Sequence, residues 1–250
     1  MYYSACIPAL FRGASPQEAL TTVAACSIPA FELWGWWDQP MDEFALAQRQ
    51  TGLRCAAMCT RMIPLNDPAQ RDAYVAGLRE SIAVASRFAC RTLITQVGQE
   101  LSGVPRAAQH QSIVDGLRAC VKILTEAGVT LVVEPLNTLV NHPGYYLSGS
   151  AEGFDIIREV DSPSVRLLYD VYHQQITEGN LLANITSNID LIGHVHVAGV
   201  PGRHEPLTNC EIDYRVILAK LRELGYQGAV GLEYHPLLDV STGLRAIAAL

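Results

Sequence analysis

Residues 105–134 read PRAAQHQSIVDGLRACVKILTEAGVTLVVE. From Pro105 to Ala127 the apolar residues Ile113, Leu117, Cys120 and Leu124 recur every three or four positions, the spacing of one helical face. Gly128 follows as a helix stop, because glycine takes the left-handed cap conformation without steric cost. The run Val129-Thr130-Leu131-Val132-Val133-Glu134 then shows no polar alternation until its last residue. A strand of that kind is covered on both faces, as in a parallel sheet flanked by helices.

The same rhythm extends in both directions. Strands are predicted at 3–8, 28–33, 53–58, 91–97, 129–134, 165–170, 192–198 and 228–233. Helices are predicted near 16–26, 40–51, 68–88, 105–127, 150–160, 180–189, 213–224 and 240–249. Ser15-Pro16-Gln17-Glu18 carries a capping Ser, a Pro at the first helical position and a Glu at the third; Asp67-Pro68-Ala69-Gln70 repeats the pattern. Thr51-Gly52 and Leu224-Gly225 repeat the stop. Eight strand–helix units in 250 residues predict an α/β chain folded as one (β/α)8 barrel of the TIM type, a single domain over 1–250. The alternative, a doubly wound open sheet, usually carries a glycine-rich phosphate turn after an early strand, and neither G-x-G-x-x-G nor G-x-x-x-x-G-K-[ST] occurs.

Composition narrows the function classes. At 49% hydrophobic and 17% charged residues the chain can bury a large core and is no disordered tail. Eighteen basic against 25 acidic residues give a formal charge of −7, which argues against a nucleic-acid binder. No apolar run approaches the roughly 20 residues of a membrane span, and Met1-Tyr2-Tyr3-Ser4-Ala5-Cys6 lacks the basic opening of a signal peptide. Seven scattered cysteines fit reduced thiols in a cytoplasmic protein, and the lone Cys55/Cys59 pair lacks the second pair a zinc site wants.

A barrel interior wants Val, Ile and Leu, so an ionisable residue at a strand's C-terminal end needs a reason. Four consecutive strands carry one: Glu134 after Val132-Val133, Asp170 after Leu168-Tyr169, the pair His194-Val195-His196, and Glu233 after Gly231-Leu232. In this fold those ends converge where active sites form. Three carboxylates meeting there repel unless a cation compensates them, and the mixed oxygen–nitrogen set suits Mn²⁺, Mg²⁺ or Co²⁺. One acid at a strand end is often only a helix cap; four on adjacent strands are harder to explain so. His194 and His196 share a strand face by the period of two, and His196, nearer the C-terminal end, is the expected ligand. His194 is then a satisfied core histidine or a support behind the ligand.

Further candidates lie beyond the strand ends. His173 follows Asp170 by three residues, where the strand is expected to enter a loop. Arg203, after the Pro201-Gly202 turn, could swing over the mouth and clamp a carboxylate or hydroxyl. Trp34, Trp36 and Trp37 cluster past the second strand and could wall a sugar-sized pocket, form an oligomer interface or pack a helix end. Asn137 could donate to a substrate oxygen or serve as a turn residue.

The tracts Glu134-Pro135-Leu136-Asn137-Thr138, Tyr169-Asp170-Val171-Tyr172-His173, His194-Val195-His196-Val197-Ala198-Gly199, Pro201-Gly202-Arg203-His204-Glu205-Pro206 and Gly231-Leu232-Glu233-Tyr234 together resemble the hydroxypyruvate isomerase family. That family sits among the xylose-isomerase-like TIM barrels, with the D-tagatose 3-epimerase type of ketose epimerases and, more remotely, endonuclease IV. The resemblance implies that Glu134 and Glu233 are the acid/base pair and, with Asp170 and His196, the metal ligands. It implies that His173 and Arg203 hold substrate oxygens. Many hydroxypyruvate isomerases carry Gln where this chain has His196, whereas ketose epimerases carry His, which speaks for metal binding here. The short loop at Pro201-Gly202-Arg203 favours the isomerase branch.

The implied chemistry is proton transfer beside a carbonyl through an enediolate, with a divalent cation as Lewis acid. Return of the proton to the neighbouring carbon gives an isomer; return to the same carbon from the other face gives an epimer. The expected substrate is a small keto-sugar or hydroxy-keto acid, hydroxypyruvate first, with a ketose 3-epimerase as the alternative. A non-catalytic sugar-binding barrel and an endonuclease IV-like nuclease are weaker readings. The Trp-rich region leads us to expect a homodimer or homotetramer.

Overall fold

A computed structural model describes residues 1–207 and 209–250. Its strands are β1 (Tyr2–Cys6), β2 (Ala30–Leu33), β3 (Arg54–Cys59), β4 (Thr92–Thr95), β5 (Thr130–Val133), β6 (Val165–Asp170), β7 (Ile192–Val197) and β8 (Ala229–Leu232). They close in chain order, every pair parallel, and the Ser4–Gly231 register between β1 and β8 seals the barrel. The helices are α1 (Ile7–Leu10), α2 (Pro16–Ala25), α3 (Met41–Thr51), α4 (Arg71–Arg87), α5 (Arg106–Ala127), α6 (Ser150–Val160), α7 (Val171–Thr177), α8 (Leu181–Asn188), α9 (Tyr214–Glu223) and α10 (Val240–Ala248).

The continuous apolar strands are buried on both faces. Inward, Ala57, Cys59, Ile94, Val132 and Leu168 pack as one layer inside the barrel. Outward, residues such as Leu131, Val133, Leu167 and Tyr169 join the core beneath the helices. Burial of each large apolar side chain contributes about 1.5–3 kcal/mol, so this two-sided packing is the main force holding strands and helices in register.

The local signals act as expected, with small departures. Ser15 accepts from the Glu18 backbone while the Glu18 side chain accepts from Ser15, a complete capping box at α2. Gly52, Gly128 and Gly225 adopt φ of 71°, 63° and 75° and end α3, α5 and α9. Asp67 caps a 3₁₀ turn over Pro68–Gln70 before α4 begins, so the predicted 68–88 helix has a tighter first turn. β4 stops at Thr95 rather than 97, because the Val97 carbonyl turns aside to accept from Leu65 and Asn66 at 2.9 and 3.1 Å. Two short helices went unpredicted. α1 has four residues, and α7 starts directly from the last residue of β6, so neither shows the periodic run that marks a helix in sequence. All seven cysteines are free thiols, and among the described residues no helix is long and apolar enough to cross a membrane.

Candidate active site

The C-terminal ends of β5 to β8 deliver Glu134, Asp170, His196 and Glu233 to one place, and one potential ligand atom from each lies within 4.8 Å of the others. All four side chains are buried. Glu134 and Glu233 therefore stand at the same mouth of the barrel, as their strand positions require.

Glu233 is the most heavily contacted. The Trp34 indole donates to Oε1 at 2.5 Å, Arg203 donates to Oε2, and His196 Nδ1 lies 3.4 Å from Oε2. Glu134 accepts from Gln96 Nε2 at 2.9 Å on Oε2, leaving Oε1 facing His196 Nδ1 at 3.6 Å. Asp170 works twice. Its Oδ1 caps α7, accepting from the Tyr172 and His173 backbones at 2.8 and 3.2 Å. Its Oδ2 faces the cluster, 3.9 Å from the Arg203 guanidinium. Helix capping and site building, rival readings of a strand-end acid, are here one residue's two oxygens.

Arg203 does swing over the mouth, but it does not stand free. A left-handed backbone (φ 59°) aims it inward, a conformation costing a non-glycine residue on the order of 1–3 kcal/mol. The loop holds it there: Arg203 N–H donates to the Gly199 carbonyl at 2.9 Å, and the Arg203 carbonyl accepts from His235 N at 2.7 Å. The guanidinium touches Glu233 and stacks 5.2 Å from the Tyr172 ring centre.

These charges compensate one another. Burial disfavours a charged Glu233, but Arg203 and His196 outweigh it and hold the carboxyl well below its ordinary range. Burial likewise opposes a charged His196, and Glu233 and Glu32 reverse this and raise its pKa well above the usual value. At Asp170 burial prevails over Arg203 and His196 and the pKa is raised.

Sequence reasoning assigned no role to the group behind His196. Glu32, buried in β2, lies 2.9 Å from His196 Nε2 and 3.1 Å from His194 Nε2, and Ser4 donates to the same carboxylate. His194 is thus a satisfied histidine behind the site, bonded to Glu32 and packed edge-on against the His196 ring at 5.0 Å. Burial raises the Glu32 pKa, but His194 and His196 overcome this and lower it to about 2. The available signal was an acid between Phe31 and Leu33 in an apolar strand. Gln96, also missed, carries no charge to attract notice.

At the cluster lies a cavity of about 480 Å³, lined by Glu134, His173, His196, Arg203 and Glu233 together with apolar residues such as Ile94 and Leu136. Trp34 forms part of its wall. Trp36 instead donates to Ser81 and stacks with Arg61 against α4. His173 lies in the first turn of α7 rather than in a loop, because Asp170 starts the helix at once. Its Nδ1 faces Asn137, and its Nε2 lies 3.6 Å from Asp170. Asn137 is the turn residue of its loop, accepting from the Val140 and Asn141 backbones, and contacts His173 as well.

The donor set fits a divalent cation. His196 Nδ1 is buried with no hydrogen-bond partner and points between Glu134 and Glu233. Ligand atoms about 2.0–2.5 Å from an ion stand at most about 5 Å apart across it, and these four meet that limit. Three carboxylates and one imidazole are ligands for Mn²⁺, Mg²⁺ or Co²⁺ rather than for a thiolate-seeking ion.

A closed (β/α)8 barrel with buried acids and a histidine gathered at its C-terminal mouth defines the class of protein. The chain belongs to the xylose isomerase-like TIM barrel family, whose model matches residues 20–250. It is 30% identical over 206 residues to the hydroxypyruvate isomerase of Escherichia coli K12, covering 82% of this chain and 74% of that one. It is 36% identical over 139 residues to the 2-oxo-tetronate isomerase of Cupriavidus necator, covering 56% and 53%. Among solved structures, the AP endonuclease, family 2, of Brucella melitensis superposes with a TM-score of 0.93 at 27% identity, covering 100% of this chain and 99% of that one.

Proposed function

We propose that the protein is an isomerase that interconverts a short hydroxy-keto compound and its aldehyde isomer, hydroxypyruvate and tartronate semialdehyde first. The observation that carries this is the pair Glu134 and Glu233 at one mouth, with His196 between them. Relatives named as isomerases support it. Glu134, Asp170, His196 and Glu233 would hold Mn²⁺ or Mg²⁺, which when bound supplies Lewis-acid polarisation of the substrate carbonyl.

The chain's own residues account for the proton transfers. One glutamate removes a proton from the hydroxymethyl carbon, and the electron pair moves to the carbonyl oxygen as an enediolate forms. A proton then returns to the former carbonyl carbon, and the proton of the other hydroxyl passes to the enediolate oxygen, leaving an aldehyde beside a new hydroxyl; no atom is gained or lost. His173, through Nε2–H, donates to the developing oxyanion. Arg203 holds the substrate carboxylate and at the same time keeps Glu233 ionised. The apolar wall of Ile94 and Leu136 limits water at the reacting carbons.

A nucleic-acid substrate is not favoured: among the described residues Arg203 is the one Arg or Lys lining the cavity, and the chain's formal charge is −7. Free thiols support a reducing, cytoplasmic setting. The half-exposed Trp34 and Trp37 support a dimer or tetramer, which light scattering tests. The functional test is a product assay on hydroxypyruvate. Tartronate semialdehyde supports the reading, whereas a ketose inverted at one carbon and no turnover of hydroxypyruvate would replace it with the epimerase reading.

A further inference from the structure

The imidazole of His196 separates two acidic neighbourhoods. On one edge Nδ1 faces Glu134 and Glu233; on the other Nε2 lies 2.9 Å from Glu32. Glu32 is fully buried and does not line the cavity, so it meets neither substrate nor solvent. A carboxylate that deep needs a reason, because burying an ion is costly unless its oxygens are satisfied. Here they are satisfied by three side chains from two other strands: Ser4 of β1 and His194 and His196 of β7 lie against it, while Glu32 itself comes from β2.

We propose that Glu32 is a positioning residue: by accepting the Nε2–H of His196 it fixes the ring and commits Nδ1 to the cluster of Glu134, Asp170 and Glu233. An imidazole has two nitrogens, and a hydrogen bond donated from one decides which is left to bind a metal. Nδ1 is the nitrogen without a partner. The barrel makes room for this arrangement at Gly231 of β8. A methyl group there would lie 2.5 Å from His196 Cδ2 and 2.7 Å from Glu32 Oε1, so any side chain would push the ring and its support apart. His194 completes the device by occupying the other Glu32 oxygen, which keeps that carboxylate from turning away from His196.

The metal-binding part rests on the reading of the site given above; the ring-positioning part does not, and the two are tested separately. In the metal-free wild type, histidine-selective NMR should detect a slowly exchanging Nε2–H on His196, assigned by its loss in His196→Asn. That signal should be lost or shifted in Glu32→Gln, whose amide cannot accept from both histidines. Mn²⁺ titration, read from the electron-paramagnetic signal of the free ion, should show the Kd raised about 10–100-fold in Glu32→Gln. If Glu32→Gln does not fold, Gly231→Ala, which removes no hydrogen-bonding group, should shift the same resonance and weaken Mn²⁺ binding. Absence of the Nε2–H from wild type would overturn the proposal. So would a variant that keeps the resonance with a Kd within about twofold of wild type. Wild type that shows a Glu32-dependent Nε2–H yet takes up no Mn²⁺ supports the positioning role and overturns the metal reading instead.

Discussion

Asn137 directs two donors at one nitrogen of His173: its backbone N–H lies 3.1 Å and its side-chain Nδ2 lies 2.6 Å from Nδ1. The amide orientation follows from the contacts, since Asn137 Oδ1 accepts from the Val140 and Asn141 backbones at 3.0 and 3.2 Å. Nδ1 is therefore an acceptor, and the ring proton sits on Nε2, which at 3.6 Å makes no hydrogen bond to Asp170 Oδ2. Burial, with Arg203 adding to it, lowers the His173 pKa to about 3, so the ring stays neutral at ordinary pH. His173 is thus a hydrogen-bond donor and not a proton-transfer acid. Asn137→Ala should lower kcat/KM about tenfold or more, in line with loss of one oriented donor. Nitrogen-15 NMR of the wild type should show His173 as the Nε2–H tautomer, held in the variant by the remaining backbone donor; an Nδ1–H wild type, or a variant with the wild-type rate, would reject the assignment.

Glu134→Gln and Glu233→Gln keep shape and oxygen ligation but remove proton transfer. Each should lower kcat by about 10²–10⁴-fold. Steady-state kinetics on the isomerised substrate check this, with melting curves to confirm folding. Near-wild-type turnover in either variant would exclude the paired-glutamate mechanism.

Arg203→Lys preserves charge and loses the planar fork. Since the guanidinium touches Glu233, the change should lower kcat as well as raise KM for a carboxylate substrate. The KM effect should be smaller for a neutral ketose. Comparison of the two substrate classes reads this split; equal KM effects would remove Arg203 from carboxylate binding.

A stability effect is expected at a residue that does not line the cavity. Burial lowers the His110 pKa, but hydrogen bonds to Glu159 and Glu152 outweigh it, and the net shift is upward. A raised folded-state pKa means the protonated form is favoured by folding. This stabilisation is full below about pH 6.5, the unfolded value, and is lost as pH rises through the folded value. Thermal melts of wild type and His110→Asn should therefore differ most at low pH and converge above neutrality. A gap that is constant with pH would show that the pairing contributes nothing.

Much of this was legible in the chain because barrel geometry turns sequence position into spatial position. Glu134, Asp170 and Glu233 stand out as acids closing apolar strands, and the period of two separates His196 from His194 only by depth along β7. Glu32 was not legible. Its partners lie 162 and 164 residues away, and nothing local says that β2 and β7 face each other across the barrel at that depth. Arg203 was half legible. The Pro201-Gly202 turn points to a loop over the mouth, but the engagement with Glu233 depends on where a left-handed backbone aims the side chain. The short α7 escaped because its cap, Asp170, already reads as a site residue.

The central claim is that Glu134 and Glu233 move a proton between neighbouring carbons of the substrate, and exchange in D₂O tests it most directly. Metal-supplemented wild type incubated with hydroxypyruvate should place deuterium on carbon and form tartronate semialdehyde, both followed by proton NMR. In Glu134→Gln and Glu233→Gln both signals should fall together, by about 10²–10⁴-fold in rate. Product formed at the wild-type rate by either variant, or wild type that neither exchanges nor converts the substrate, would contradict the account.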